Sequence, residues 1–278
     1  MIPRAHITAW RSRAPWSSDG QIEQDLVVCR ALVEIYSDGL AAKEVAFRGG
    51  TALHKLFFDS PGRYSEDLDL VQVNAGPIGP VMNAIRARLD PWLGKPQWKQ
   101  SAGRVTIYYQ FESEMKPVTP MRLKVEINTR EHFTVLGFER VAFSVENPWF
   151  SGGADVLTYP PEELLGTKLR ALYQRRKGRD LFDLAEALQR LPGLDLPKVI
   201  DCFNRYLDND GTHISRAEFE GNLARKLKDA LFTSDVPPLL ALGISFNAIE
   251  AHQRVGEALL SRLAGEPWKQ PDKSSKRG

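Results

Sequence analysis

The sequence predicts an α+β fold, in which a mixed sheet with flanking helices is followed by a helical domain. Up to about residue 155, short runs of alternating apolar and polar residues lie between helix-like segments, as in half-buried strands. Beyond Pro160 and Pro161 the apolar residues recur only at spacings of three and four, which indicates helices. We expect a sheet domain over 1–155, a helical domain over 156–265 and a flexible tail over 266–278.

The composition of the chain argues against several classes of protein. The chain has 278 residues, enough to bury a core without disulfides, and its net charge of +2 excludes a polycationic nucleic-acid binder. Two cysteines, Cys29 and Cys202, argue against a disulfide scaffold or a cysteine-rich zinc site. No apolar run approaches the ~20 residues that span a bilayer, and the first residues lack a signal peptide's apolar segment. We therefore expect a cytoplasmic protein without a membrane partner.

The first half of the chain supplies the elements of the expected sheet domain. Residues 1–20 mix Pro, Trp, Arg and Ser and predict an irregular arm, while Pro117 and Pro120 predict a turn over 112–120. Helical spacing or strict alternation of apolar residues assigns the other segments. The predicted helices are 21–37, 51–58 and 77–93, and the predicted strands are 44–47, 66–73, 104–111, 121–129 and 139–145.

The second half has helical periodicity throughout, interrupted by glycine and proline. The predicted helices are 161–176, 179–191, 196–207, 216–232 and 246–264.

Two aspartates begin the predicted strand 66–73. Alternate residues of a strand share a face, so Asp67 and Asp69 point the same way while Leu68 and Leu70 enter the core. Neighbouring carboxylates repel each other unless a cation lies between them. The pair is either two solvated acids on an outer face or two ligands of Mg²⁺, which prefers hard oxygen donors.

A glycine pair follows the preceding strand. Gly49 and Gly50 lie at a strand-to-helix turn, where missing side chains let a ligand approach and helix amides favour an anion such as a triphosphate. Thr51 adds a hydroxyl, and Lys55 adds a positive charge one turn later. The alternative is a tight turn without a ligand.

A third acid lies on the predicted strand 121–129. Leu123, Val125 and Ile127 share one face, which leaves Glu126 on the other. If this strand neighbours 66–73, Glu126 joins the two aspartates; otherwise it is an exposed strand glutamate.

These residues resemble the polymerase-beta-type nucleotidyltransferase superfamily. They are most similar to the AbiEii-type toxin family of bacterial abortive-infection and type IV toxin–antitoxin systems. The resemblance covers about residues 16–190, and one departure from the superfamily is a long gap between Gly50 and Asp67, so we expect a rebuilt loop over 59–65. The matching segments are FRGGTALHK at 47–55, RYSEDLDL at 63–70, KLRAL at 168–172 and RDLFD at 179–183.

The resemblance implies a Mg²⁺-dependent nucleotidyltransferase that uses an NTP. Asp67 and Asp69 would hold two Mg²⁺ ions, which orient the NTP phosphates for in-line attack. Glu126 would complete this metal site as a third ligand or help to deprotonate the attacking hydroxyl. Lys168 and Asp180 match the later functional motifs and count as catalytic residues. The implied nucleotide-binding residues are Gly49, Gly50, Thr51, Lys55 and Ser65.

A basic run extends from Lys168 to Arg179 without an intervening acid. It is either a solvated helix face or a phosphate-contacting patch, in which Arg175 and Arg179 bind the nucleotide or an RNA backbone.

The resemblance also implies partners. The acceptor is expected to be RNA, at tRNA 3′ ends, so that transfer blocks translation and growth. A neighbouring gene is expected to encode a winged-helix antitoxin. Two alternatives stay open: transfer to a protein or small-molecule hydroxyl, and a GTP- or NTP-binding module without transfer. The three intact acids favour transfer, because a pure binding module has less need of them.

Overall fold

The computed structural model describes residues 2–269, which form two compact units. The first unit contains the chain up to Leu164 together with Leu239–Ile244, and the second contains Leu165–Pro238 and the chain from Ser245 onward. The expected boundary at residues 155 and 156 falls inside a strand, and the division lies instead within the helix that begins at Pro161.

The first unit combines a sheet with helices, and the second is helical. The helices are α1 (Arg4–Trp10), α2 (Asp19–Tyr36), α3 (Ala41–Glu44), α4 (Gly49–Leu56), α5 (Gly79–Leu93), α6 (Pro161–Gln174), α7 (Gly178–Arg190), α8 (Leu196–Asn209), α9 (Arg216–Lys226), α10 (Ala230–Thr233) and α11 (Ala248–Ala258). The strands are β1 (Val45–Arg48), β2 (Asp67–Gln72), β3 (Gln97–Ser101), β4 (Arg104–Glu112), β5 (Pro120–Asn128), β6 (Glu139–Asn147) and β7 (Phe150–Thr158).

The seven strands form one mixed sheet in the order β3-β4-β5-β2-β1-β7-β6. Neighbouring strands are antiparallel, except that β2 runs parallel to β5 and β1 runs parallel to β7. The α+β class predicted from the sequence is therefore confirmed. The parallel pairing of β2 with β5 joins two segments that are distant in sequence, and it sets which polar residues become neighbours.

One face of the sheet is apolar because alternate strand residues point into the core. Val105, Ile107 and Tyr109 of β4 are fully buried, and so are Leu123 and Val125 of β5. Helices α2 and α5 cover this face and contact each other as well as the strands. The polar residues between the buried ones therefore share the opposite face. Among the described helices, none is long and apolar enough to cross a membrane.

Two strands and several helix ends differ from the sequence prediction. Strand β3 was not predicted because all its residues are exposed, and β7 was not predicted because Gly152 and Gly153 resemble a turn. The expected irregular arm contains α1. The expected helix 216–232 is divided into α9 and α10, and the expected helix 246–264 ends at Ala258 before a short 3₁₀ turn over Leu260–Arg262.

The expected tail is partly ordered by α9. The backbone N–H of Trp268 donates a hydrogen bond of 2.7 Å to the carboxylate of Glu220, and the Trp268 ring lies against Gly221. This contact contradicts a wholly flexible segment from residue 266. Residues 270–278 lie outside the described part of the chain.

A short return segment, Leu239–Ile244, fastens the loop that precedes β2. The Tyr64 N–H donates to the Leu239 carbonyl at 2.7 Å, and the Ala241 N–H donates to the Gly62 carbonyl at 3.0 Å. The loop 59–65, which the sequence marks as unusually long, is therefore held by residues from far along the chain.

The buried carboxylate of Glu163 organises the loop before β6. It accepts hydrogen bonds from the Thr134 hydroxyl and from the backbone N–H groups of Val135 and Leu136, all between 2.8 and 2.9 Å. We expect Glu163→Ala to lower the free energy of unfolding by about 2–4 kcal/mol, because buried donors lose their acceptor. Urea unfolding followed by circular dichroism measures this change. Glu162→Ala, at the adjacent partly exposed acid, is the control, and an equal loss in both variants would contradict the prediction.

Candidate active site

Three carboxylates meet on the polar face of the sheet. Asp69 of β2 lies opposite Glu126 of β5, and Asp67 lies opposite Lys124. The condition set by the sequence, that these two strands be neighbours, is fulfilled. Burial raises the pKa of Asp69, and the nearby charges of Asp67 and Glu126 raise it further. The arrangement therefore concentrates negative charge that needs a cation.

Lys124 supplies such a cation. Its Nζ lies 2.9 Å from Oδ2 of Asp67 and 3.2 Å from Oε2 of Glu126. Burial alone would lower the pKa of Lys124. The hydrogen bond to Asp67 and the negative charges of Asp67, Glu126 and Asp69 raise this pKa above its ordinary value. Arg104 also reaches Glu126, with Nη1 3.3 Å from Oε1. Lys124 was recognisable in the sequence, since it alternates with buried residues on the same strand as Glu126, but no role was assigned to it.

The donor set fits a hard divalent cation, since it consists of carboxylate oxygens on adjacent strands that already surround a positive charge. Within residues 2–269, no three acidic, histidine or cysteine side chains form a preformed metal cluster. Lys124 lies between two of the three acids. A metal bound by all three would take over the charge balance that Lys124 now provides.

The glycine turn lies directly against the carboxylates. Gly49 has a φ of +84°, and a Cβ at this position would lie 2.6 Å from Oδ2 of Asp69. Glycine is therefore required twice, by the left-handed backbone and by the close carboxylate. Gly50 follows in the first turn of α4 and is buried.

Thr51 and Ser65 tie this turn to β2. The Thr51 hydroxyl donates to the backbone carbonyl of Asp67 at 2.7 Å and lies 2.7 Å from the Ser65 hydroxyl. Thr51 is only 1% exposed. Its hydroxyl therefore orients the start of β2, and nucleotide binding by Thr51 stays a prediction.

Lys55 is held by another buried acid. Its ammonium forms an ion pair with Asp25 of α2, whose carboxylate also accepts a hydrogen bond of 2.9 Å from the Trp10 indole. Although burial opposes its charge, Asp25 raises the pKa of Lys55 above the ordinary value. Lys55 lines a cavity with Trp10 and Cys29, and the carboxylates of β2 and β5 do not line it. Nucleotide binding by Lys55 stays a prediction.

The later motifs form a buried ion cluster in the second unit. Nζ of Lys168 lies 3.3 Å from Asp180 and 2.8 Å from Asp183, and both acids are fully buried. Arg175 binds both Asp180 oxygens, at 2.6 and 2.7 Å. Burial alone would raise the pKa of Asp180, but Lys168 and Arg175 hold it below its ordinary value. Asp183, part of the RDLFD motif, is a partner of Lys168 to which the sequence patterns gave no role.

Acids from later helices balance the whole basic run. Arg170 is nearly buried over the ring of Tyr206, and Arg179 binds Asp235 through its backbone N–H and its guanidinium. The remaining ion pairs of the run are Arg170–Asp210, Arg176–Asp229 and Lys177–Asp235. A freely solvated basic face, the simpler sequence interpretation, is wrong for Arg170.

Comparison with protein families gives a match over residues 30–255, to the nucleotidyl transferase AbiEii toxin of type IV toxin–antitoxin systems. The chain belongs to the AbiEii family. It is therefore a nucleotidyltransferase of a toxin family, as the sequence motifs indicate. Comparison with curated proteins finds no match.

Solved structures share the fold of this AbiEii member. MenT4, a nucleotidyltransferase toxin from Mycobacterium tuberculosis H37Rv, is similar with a TM-score of 0.61 and 18% identity, covering 95% of this chain and 91% of MenT4. A putative nucleotidyltransferase from H. pylori is similar with a TM-score of 0.54 and 17% identity, covering 87% of this chain and 93% of that one.

We expect Gly49→Ala to lower the free energy of unfolding by more than backbone strain alone would. At Gly137, where φ is +89° and a Cβ would have no atom within 4 Å, alanine should cost about 1–2 kcal/mol of unfolding free energy. At Gly49 the same strain is joined by the contact with Asp69, so the loss should be larger. Thermal and urea unfolding of both variants measures the difference, and equal losses would show that the contact carries no cost.

Asp180→Asn should destabilise the protein by about 3 kcal/mol at neutral pH, because Arg175 and Lys168 lose their buried negative charge and one of its two acceptor oxygens. Since its folded pKa is depressed, the ionised carboxyl stabilises the fold above its ordinary pKa of 3.8, and this contribution disappears as the pH falls through the folded value. Urea unfolding at neutral pH and at about pH 2 should therefore show a large difference that shrinks in acid. Asp201→Asn, at an exposed acid of α8, is the control. A difference of equal size at both pH values would contradict the prediction.

Proposed function

We propose that this AbiEii member transfers a nucleoside monophosphate from an NTP to the 3′ end of an RNA, with tRNA as the expected acceptor. The observation that supports this proposal is the meeting of Asp67, Asp69 and Glu126 beside the Gly49 turn. Blocking of tRNA 3′ ends would stop translation and growth, as suits a toxin. A winged-helix antitoxin from a neighbouring gene is the proposed partner.

The proposed reaction forms one bond and breaks one. The acceptor hydroxyl oxygen attacks the α-phosphorus of the NTP, the bond to the bridging oxygen of the β-phosphate breaks, and pyrophosphate leaves. Glu126 accepts the hydroxyl proton. Asp67 and Asp69 are the residues that would hold the divalent cation. When bound to these oxygens, Mg²⁺ would neutralise the charge that develops on the phosphate.

Roles for the other residues follow from their positions. The backbone around Gly49 and Gly50 lets the triphosphate approach the carboxylates, because no side chain intervenes. Ser65 and Thr51 keep the start of β2 in place for this contact. Family resemblance alone supports a catalytic role for Lys168 and Asp180 and nucleotide binding by Arg175 and Arg179; their ion pairs would fix the geometry of such a site.

Transfer to RNA can be tested directly. Purified protein is incubated with Mg²⁺, total bacterial tRNA and each α-³²P-labelled NTP in turn. We expect label on RNA with the wild type and a loss of at least about 100-fold with Asp67→Asn, because the variant lacks one of the carboxylates that would hold the cation which balances the phosphate charge. Asp201→Asn, at an exposed acid on α8, should keep full activity.

The acceptor end and the alternatives are resolved in the same assay. Transfer RNA oxidised with periodate has no free 3′ hydroxyl and should accept no label. Label on protein or on a small molecule would replace the RNA acceptor with another hydroxyl. Bound NTP without any transfer would contradict the proposal and favour a binding module.

A further inference from the structure

An open cavity of about 880 Å³ includes Asp67, the first of the carboxylates, in its lining. The ends of β4 and β5 form one wall. Tyr64 and the first turns of α2 complete it. Its volume is of the size that holds a small ligand or one unit of a polymer. None of the residues of the glycine turn lines it.

The order of the strands separates two sides of the carboxylates. From one side to the other the order is β4, β5, β2, β1. The acids lie on β5 and β2, while Gly49 follows β1. The cavity therefore lies on the β4–β5 side and the glycine turn on the β1 side. A transferase needs two such places, one for the donor and one for the acceptor.

The charge of the cavity favours the acceptor over the donor. Glu66, Asp67 and Glu112 contribute three acids to its lining, against one guanidinium from Arg122. A triphosphate would meet net negative charge here. A nucleoside carries no charge, and its base edge and ribose hydroxyls match side-chain amides such as that of Gln110, while Phe111 offers an apolar surface.

Arg122 suits a single phosphodiester. It alternates with Lys124 and Glu126 on β5, so it shares the polar face with the acids. Its guanidinium lies over the ring of Tyr108, 4.9 Å from the centroid, which limits the positions of the cation, and Arg122 also lines the cavity. The backbone carbonyl of Arg122 accepts a hydrogen bond of 3.0 Å from Gln24, so α2 fixes this part of the strand.

We propose that this cavity receives the terminal nucleoside of a polynucleotide acceptor, and that Arg122 binds the phosphate preceding that nucleoside. The inference rests on the proposed nucleotidyl transfer and assigns its acceptor side. With the nucleoside in the cavity, its 3′ hydroxyl lies next to Asp67, the carboxylate that lines the cavity. The hydroxyl oxygen then attacks the α-phosphate of an NTP that is bound at the Gly49 turn. Arg122 then binds the acceptor RNA and does not contact the NTP.

The test compares Arg122→Gln with Arg122→Lys and with Arg86→Gln. Arg86 is the matched control, because it pairs with Asp90 within α5 and does not line the cavity. Label transfer is measured against the concentration of acceptor RNA at saturating NTP, and NTP binding is measured separately without RNA. Thermal unfolding verifies that each variant is folded.

Arg122→Gln should raise the KM for RNA by about 5- to 50-fold, while kcat and NTP affinity stay within about twofold of the wild type. Arg122→Lys should recover part of the loss, since it keeps the charge, and Arg86→Gln should behave as the wild type. Weaker NTP binding in Arg122→Gln would place the donor in the cavity and overturn the inference. An unchanged KM would overturn it while leaving the proposed transfer intact. Absence of transfer by the wild type would overturn both.

Discussion

Repulsion among three carboxylates is the constraint on which this structure depends. The parallel pairing of β2 with β5 places Asp69 beside Glu126, and Asp67 precedes Asp69 by two residues on the same face. Like charges this close are unfavourable unless a cation joins them, and Lys124 lies between two of them. The glycine turn adds a steric limit, because any side chain at Gly49 would press on Asp69. Sheet topology, ion pairing and loop conformation thus converge on one small region.

The sequence predicted this region well because strand periodicity is a local property. Asp67, Asp69 and Glu126 could each be placed on the polar face from the alternation of their neighbours, although their meeting required a pairing between distant strands. The buried partners of the polar residues on α4 could not be predicted in this way. Thr51 and Lys55 have the residue types of phosphate ligands, yet one orients β2 and the other neutralises Asp25 on α2. No pattern within α4 or α2 alone could reveal those long-range partners.

In the helical half, too, local patterns could be predicted from the sequence, whereas long-range partners could not. Its periodicity predicted most helices, whereas the basic run from Lys168 to Arg179 contained no local sign of its partners. The balancing acids come from α7, from the residue after α8 and from the segments around α10. Lys168 and Arg170 are buried and need such compensation, whereas Arg176 and Lys177 are at least half exposed. Strand β7 was not predicted for a different reason, since Gly152 and Gly153 resemble a turn although they lie within a strand.

The fastening of the loop 59–65 has a consequence for the timing of synthesis. Tyr64 and Gly62 are held by Leu239 and Ala241, which leave the ribosome long after the sheet strands have emerged. A nascent chain therefore carries the acidic residues early but lacks the segment that secures the loop before β2. A polypeptide that ends before residue 239 lacks the partners of both hydrogen bonds, so the loop before β2 is not braced in it. Premature termination would accordingly yield fragments in which the approach to Asp67 is less firmly held than in the full chain.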